Sequence, residues 1–387
     1  MRSTSDPAAL PQGRRGIGFC CFALACAGLA LVLAVYAADE ARADAVIAVP
    51  YPFEGPHAVV GRRIALAVEQ AARDLNARGG VTGEKVVVRR IDDGCNGAAA
   101  AAAATAVVAE RPALSVGHPC AGGAIAAARV YSAAKLLFIA TETRHKALTD
   151  SHAGPTILRL AGRDDAQGTF AGHYLAKSYP GRRIAVVSDR TAYARSISER
   201  AVKALAAAGA EPGLLTIVAG EKDFGALVAR IRDWQCAAIL FAGFPIEAAS
   251  ILRQLRAAGL APPLLGTEVM ANDDLAAAAG SAAELARALS PTDPARRIAA
   301  SSGGEVSGRD SSIPDGATLR ARAAVELWAT AAQEKSTLVP DAVAAALKTG
   351  AHESVLGRVA FNARGDAELP AYDVLEWRGS RWVAVTD

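Results

Sequence analysis

Residues 85–117, KVVVRRIDDGCNGAAAAAAATAVVAERPALSVG, are the stretch of sequence that decides the fold. Residues 85–91 are rich in β-branched side chains, residues 97–109 are dominated by alanine, and residues 113–117 are again apolar. β-Branched residues favour strands and alanine is the strongest helix former, so the stretch predicts a strand, a helix and a second strand. A helix that joins two strands in this order is typical of a parallel sheet covered by helices.

The same alternation extends to both sides of this stretch. Upstream, a strand at residues 45–50 precedes a helix at 61–77, which should end before Gly79 and Gly80 because glycine tolerates a positive φ. Downstream, strands and helices alternate in the order 183–188, 193–208, 214–218, 224–232, 237–241 and 247–258. Single cores rarely grow beyond about 250 to 300 residues. A chain of 387 residues with two such series therefore predicts an α/β fold of two lobes, each with its own parallel sheet.

Two turn-rich segments, 159–165 and 289–294, are the predicted crossing points between the lobes. Residues 301–316 are rich in Gly, Ser and Asp and predict a surface loop, after which a helix at 317–333 returns to the first lobe. The tail carries strand-like runs at 358–361, 371–377 and 381–385. We therefore assign residues 44–161 and 290–349 to lobe 1, and residues 162–289 and 350–387 to lobe 2.

The amino terminus has the order of a signal peptide. Arg14 and Arg15 precede an apolar run at residues 16–38, and a short polar stretch then ends in a small-x-small site at Ala43. This order predicts a leader at residues 1–43, cleavage after Ala43 and a periplasmic protein. The apolar run is also long enough to span a bilayer, so an uncleaved anchor through residues 16–38 is the alternative.

Composition and motifs exclude several classes of function. The chain has 42 Lys and Arg residues against 39 Asp and Glu residues, so no large positive field is available to bind nucleic acid. The sequence lacks a Gly-x-Gly-x-x-Gly turn after its first strand, a Walker loop, a Gly-x-Ser-x-Gly elbow and a His-Glu-x-x-His pair. We therefore expect no cofactor, no metal site and no enzymatic activity.

Three cysteines would remain after the leader is removed. Cys236 stands at the start of a predicted buried strand and is read as a small core residue. Export permits a disulfide between Cys95 and Cys120. The enzymatic alternative is a thiol hydrolase in which His118 activates Cys120, but oxidation of Cys120 would remove its nucleophile.

Four segments, taken together and in this order, resemble the leucine/isoleucine/valine-binding proteins of bacterial ABC importers. They are ARDLNARGG at 72–80, DDGC at 92–95, GHPC at 117–120 and GEKDFGAL at 220–227. The resemblance implies two Rossmann-like lobes joined by a multi-crossover hinge, the type I periplasmic binding fold, with a disulfide between Cys95 and Cys120. It also implies a receptor that closes on an amino acid or related small polar solute and delivers it to an inner-membrane ABC permease. A periplasmic sensor, or an amide- or urea-type receptor of the same fold, is the alternative.

The candidate binding residues come from this resemblance and from helix chemistry. The unpaired amides of Ala121 and Gly122 at the start of a predicted helix suit a carboxylate. The resemblance implies that Glu268 receives the ammonium group of the ligand and that Tyr193 forms an aromatic wall. Phe244 stands where the family carries tyrosine, so stacking would persist without the hydroxyl.

The carboxylate side departs from the family. Ala121 replaces its usual serine, and Glu142, Thr143 and Arg144 occupy a turn that is usually small or hydroxyl-bearing. A guanidinium offers paired donors to an anion, so we expect Arg144 to contact an anionic group of a solute that carries an extra carboxylate. The alternative for Arg144 is a surface ion pair with Glu142.

Overall fold

The computed structural model describes residues 44–150, 154–301 and 315–385. The predicted leader at residues 1–43 lies outside these ranges, as do residues 302–314 of the predicted surface loop. Within the described ranges, every helix is too short or too polar to span a bilayer.

The first lobe is built on a parallel sheet. Its described strands number five, in the spatial order β2-β1-β3-β4-β5. The elements in chain order are β1 (Ala45–Tyr51), α1 (Ala58–Asn76), β2 (Val86–Asp92), α2 (Gly97–Ala109), β3 (Leu114–Gly117), α3 (Ala121–Ala133), β4 (Phe138–Ala140), α4 (Ala147–Asp150) and β5 (Ile157–Arg159).

Local sequence explains the boundaries of the first two long helices. α1 buries one face at helical spacing, and Gly79 and Gly80 follow it with φ of 94° and 79°. The Gly80 amide donates back to the Leu75 carbonyl at 3.0 Å, which closes the end of the helix. At α2, the Asn96 side chain accepts from the Ala99 amide and caps the predicted first turn.

The second lobe carries a mixed sheet, which within the described residues has seven strands in the order β14-β13-β10-β9-β8-β6-β7. β13 and β14 run antiparallel to their neighbours, and the other five strands are parallel. The elements up to the end of this αβ series are α5 (Gln167–Ser178), β6 (Arg183–Ser188), α6 (Ala192–Ala207), β7 (Glu211–Thr216), α7 (Gly225–Trp234), β8 (Ala238–Ala242), α8 (Pro245–Ala257), β9 (Leu264–Gly266), α9 (Asp273–Ala279) and β10 (Arg287–Pro291). The carboxyl-terminal strands are β13 (Tyr372–Arg378) and β14 (Arg381–Ala384).

The described chain passes between the lobes three times: after β5, after β10 and before β13. The first and third crossings lie against each other, since a Cβ atom at Gly162 would stand only 2.8 Å from the Cα atom of Ala371. The first two crossings fall at the segments predicted from sequence. The predicted lobe bounds put the third between residues 349 and 350, whereas it lies further along the chain, just before β13. Several thin connections of this kind let two lobes change their relative orientation.

One part of the tail was assigned to the wrong lobe. Four elements follow the second crossing in the described residues: α10 (Pro294–Ser301), α11 (Gly316–Lys335), α12 (Pro340–Thr349) and the hairpin of β11 (Ala351–Ser354) with β12 (Gly357–Ala360). Val359 and Phe361 are buried in the core of the first lobe with Trp328 and Leu347. The hairpin therefore belongs to the first lobe. The prediction that the whole of residues 350–387 lies in lobe 2 is wrong, and only the part of the chain after the hairpin enters that lobe.

A disulfide joins the loop after β2 to the start of α3. Cys95 and Cys120 are bonded, with their Cα atoms 5.4 Å apart and 25 positions apart in sequence. Cys236 is a free, half-buried thiol at the edge of the second core, and burial raises its pKa. The disulfide implied by the family resemblance is therefore present in the structure.

We expect replacement of both Cys95 and Cys120 by alanine to lower the free energy of unfolding by about 2 to 4 kcal/mol, because the bridge restricts the unfolded chain. Urea denaturation of the purified protein measures this loss. Cys236→Ala is the matched control and should produce a smaller change. Equal losses in the two variants, or free thiols at both positions in peptide maps of oxidised protein, would contradict the expectation.

Candidate functional site

Two loops from opposite lobes meet through a salt bridge. Arg144 follows β4 in the first lobe and Glu268 follows β9 in the second, and Arg144 Nη1 donates to Glu268 Oε2 at 2.9 Å. Both side chains are about three-quarters buried. The two residues were predicted to bind opposite ends of a solute, and in the structure they bind each other.

The Arg144 side chain is held on several sides. Its Nε donates to the Gly162 carbonyl at 3.1 Å, and its guanidinium carbon lies 4.8 Å from the centre of the Tyr372 ring. Its Nη2 is buried without a hydrogen-bond partner among the described residues. Burial alone would lower the pKa of Arg144, but Tyr372 and Glu268 outweigh that effect and raise it. The side chain is therefore a permanent cation.

A second arginine fixes the backbone of this loop. Arg159 is fully buried at the end of β5, and its Nη1 donates to the carbonyls of Arg144 and His145 at 3.0 and 2.8 Å. Its Nε donates to Asp366 Oδ1 at 2.9 Å. This positioning role was not predicted. The sequence signal that could have indicated it is the arginine directly after the two apolar residues Ile157 and Leu158 in a short strand.

The second lobe contributes a cluster around Gln167, a buried residue at the start of α5. Gln167 Oε1 accepts from the Glu268 amide at 2.9 Å and from the Tyr193 hydroxyl at 3.4 Å. The ring of Tyr193 lies 6.2 Å from that of Phe244, which is 45% exposed. Glu268, Tyr193 and Phe244 therefore share one region. Gln167 was not predicted, because no local pattern in the sequence distinguishes it.

Glu142 has a partner other than the one predicted. Arg320 of α11 donates to Glu142 Oε1 at 3.0 Å and to Oε2 at 2.9 Å, and also to the Thr141 carbonyl at 2.7 Å. The proposed surface pair between Arg144 and Glu142 is therefore wrong. Burial raises the pKa of Glu142, although the nearby Arg320 opposes this effect.

Thr143 faces inward rather than towards a solute. It is buried, and its hydroxyl donates to the His118 carbonyl at 3.1 Å, which ties the loop after β4 to the loop after β3. The hydroxyl proton of this candidate binding residue is therefore engaged within the protein in this conformation.

Ala121 and Gly122 are the exposed first residues of α3. The preceding residue, Cys120, provides no side-chain cap, and a Cβ atom at Gly122 would meet open space. The free amides at this helix start are therefore accessible.

A cavity of about 870 Å³ lies on the hinge side of the salt bridge. Its walls include Glu142, Arg144 and Arg320, together with residues of all three crossing segments. Tyr193, Phe244 and Glu268 do not line it. The predicted site residues thus divide between this cavity and the aromatic side of the cleft, with Arg144 at the boundary.

The predicted pair between His118 and Cys120 does not form. His118 is fully buried, with Nδ1 2.9 Å from Asp93 Oδ2 and Nε2 2.9 Å from the Tyr131 hydroxyl. Burial lowers the pKa of His118, so the neutral ring satisfies both partners. With both nitrogens engaged and Cys120 in a disulfide, this site lacks the base and the nucleophile of a thiol hydrolase.

Two α/β lobes, three crossings and opposed charged loops define a two-lobed binding protein that closes on a small solute. A family model described as "Periplasmic binding protein" matches residues 45–380, and the chain belongs to this family. It is a family of solute-binding proteins rather than enzymes.

Two curated relatives and a solved structure give further similarities. The chain is 31% identical to "Leu/Ile/Val-binding protein homolog 1" of Brucella melitensis, covering 90% of this chain and 95% of the relative. It is also 31% identical to the "Leu/Ile/Val-binding protein" of Citrobacter freundii, over 87% and 92% of the two chains. An ABC transporter substrate-binding protein from Desulfitobacterium hafniense, solved in complex with Leu, has the same fold with a TM-score of 0.63 and 22% identity, covering 89% of this chain and all of the other.

The buried His118 predicts a pH dependence of stability. Because burial lowers its pKa below the ordinary value of 6.5, the unfolded chain takes up a proton more readily than the folded one. Stability should therefore fall as the pH falls below that value, with a contribution of about 1 to 2 kcal/mol between about pH 7 and about pH 5.

Urea unfolding at several pH values measures this contribution. His118→Gln should be less stable than the parent near neutral pH but should lose less stability on acidification. The exposed His173, replaced by glutamine, is the matched control and should follow the parent. Parallel pH profiles for the parent and His118→Gln would contradict the assignment.

Proposed function

We propose that this protein is the periplasmic solute-binding receptor of an ABC importer. It binds an amino acid or a related small polar solute between its two lobes and delivers the solute to an inner-membrane permease. The observation that carries the proposal is the meeting of Arg144 and Glu268 across the cleft, because charged groups from both lobes can then respond to one solute. The names of the two relatives, which refer to leucine, isoleucine and valine, support the amino-acid class.

Closure follows from contacts made by both lobes. A solute favours the closed arrangement only to the extent that it interacts better with that arrangement than with the open one. The three crossings permit the lobes to change their relative orientation. The closed protein then presents a different surface from the open protein, and a permease can distinguish the two. Binding without turnover is sufficient for this role.

The proposed site combines both loop systems. The free amides of Ala121 and Gly122 attract the carboxylate of the solute towards the positive end of α3. Arg144 contacts an anionic group, with Glu142 and Thr143 supporting the same turn. On the other lobe, Glu268 supplies a carboxylate beside the arginine.

The body of the solute lies against the aromatic side of the second lobe. Tyr193 is held by Gln167, and Phe244 leaves a large part of its ring exposed. A receptor for urea or a simple amide is less well supported, since such a solute brings no charge to either member of the Arg144–Glu268 pair.

A thermal-shift screen tests the proposal directly. Amino acids, amides, dicarboxylates and aromatic acids are each added to purified protein lacking residues 1–43. A solute at a hundredfold excess over its Kd should stabilise the folded state by about 2.7 kcal/mol and raise Tm by several degrees. Failure of every class to shift Tm, with no binding heat in calorimetry, would contradict a role as an amino-acid or related receptor.

Arg144→Met should weaken the best solute of that screen by about tenfold or more, because the apolar stem remains while the guanidinium fork is lost. Arg183→Met is the matched control, since Arg183 pairs with Glu211 at 3.1 Å on the exposed surface. Calorimetry with both variants measures the difference. Unchanged affinity in Arg144→Met would remove this residue from the site.

A further inference from the structure

We infer that the preferred solute is a carboxylate that needs no ammonium group, so that the receptor takes amine-free organic acids in preference to the matched amino acids. This inference rests on the proposed function and specifies its class of solute. It is carried by the Arg144–Glu268 pair, in which the protein itself supplies the cation that an amino acid would bring to Glu268.

An ammonium group would have to displace a well-held guanidinium. Arg144 is bound by the Gly162 carbonyl and the face of Tyr372, and its backbone is held by Arg159. Displacement would leave the guanidinium largely buried without its carboxylate. Removing one partner from such a pair is strongly destabilising because the remaining charge is uncompensated.

An anion can bind without breaking the pair. Arg144 uses Nε for Gly162 and Nη1 for Glu268, whereas Nη2 has no hydrogen-bond partner among the described residues. A guanidinium has five N–H donors, and leaving a buried donor without an acceptor is unfavourable. Nη2 is shielded from solvent in this conformation, so the surrounding side chains must shift before a carboxylate can reach it.

The carboxylates of the two ion pairs at this site are each balanced by an arginine. Glu268 is neutralised by Arg144, and Glu142 is neutralised by Arg320. The uncapped start of α3 then leaves a positive bias with accessible amides. Glu268 and Glu142 are therefore both occupied by arginines, and neither is free to select an ammonium group.

The aromatic side of the cleft indicates the rest of the solute. Phe244 is half-exposed and lies beside the ring of Tyr193, whose pKa burial raises further above its ordinary value. Such surfaces suit an apolar or aromatic body. The inferred class is therefore an amine-free carboxylic acid with a hydrophobic body.

Matched pairs of acids test this inference. Isocaproate is leucine without its amine, and hydrocinnamate is phenylalanine without its amine. Isothermal titration of the parent protein should show each acid binding about tenfold or more tightly than its amino acid. Tighter binding of leucine or phenylalanine would overturn the inference while leaving the proposed receptor function intact. Absence of binding by both pairs and by every solute of the broader screen would contradict the receptor function as well.

Substitution of Glu268 separates the two modes of recognition. Glu268→Gln removes a negative charge beside the anion and should tighten isocaproate binding by about three- to tenfold. A direct contact with an ammonium group predicts instead that leucine binding weakens by tens-fold or more in the same variant. Glu211→Gln is the matched surface control, and unfolding curves of each variant verify the fold. Unchanged or weaker binding of isocaproate in Glu268→Gln would overturn the inference.

Discussion

The buried guanidinium of Arg159 is the interaction on which the arrangement of the lobes and the site depends. Removing an arginine from water is costly unless its donors are satisfied, and burial lowers its pKa accordingly. Asp366, Thr149 and two loop carbonyls satisfy those donors. The backbone of Arg159 also pairs with Gly365 and Ala367, so the end of β5 is joined to the segment that leads into the third crossing. One side chain thus fixes both a hinge segment and the loop that carries Arg144.

The Arg144–Glu268 pair extends this rigid base across the cleft. Its two members are 124 positions apart in sequence and belong to different lobes, so their distance is set by the relative orientation of the lobes. Gln167 orders the glutamate side and Arg159 orders the arginine side. The pair is therefore formed by two prearranged loops rather than by two freely rotating surface side chains.

The sequence predicted local structure well where the signal is local. α2 begins and ends at its predicted residues because Asn96 caps an alanine-rich run. β7 was predicted at 214–218 but begins at Glu211. The early start was missed because proline and glycine, here Pro212 and Gly213, are unfavourable in strands. The Trp234 ring covers Gly213 and leaves no room there for a side chain. Compensation of this kind comes from tertiary packing and is not visible in a local pattern.

Site residues were predicted less completely than the fold, since a charge in the sequence does not identify its partner. Glu142 and Arg144 are two positions apart and were considered as a pair, yet each binds a residue distant in sequence, Arg320 and Glu268. The β11–β12 hairpin was misplaced for a similar reason. Its strand pattern was recognisable, but its lobe is decided by the burial of Val359 in the first core.

The position of Tyr372 beneath Arg144 has a mechanical consequence. Tyr372 begins β13 in the second lobe, directly after the third crossing, and its hydroxyl donates to the Asp164 carbonyl at 3.1 Å in the first crossing. The attraction between a cation and an aromatic face acts over several ångströms from the ring centre, whereas a hydrogen bond weakens steeply with misalignment. Small rotations of one lobe relative to the other therefore change the attraction between the guanidinium and the ring gradually, whereas they misalign the hydrogen bonds from Arg144 to Gly162 and Glu268 more steeply.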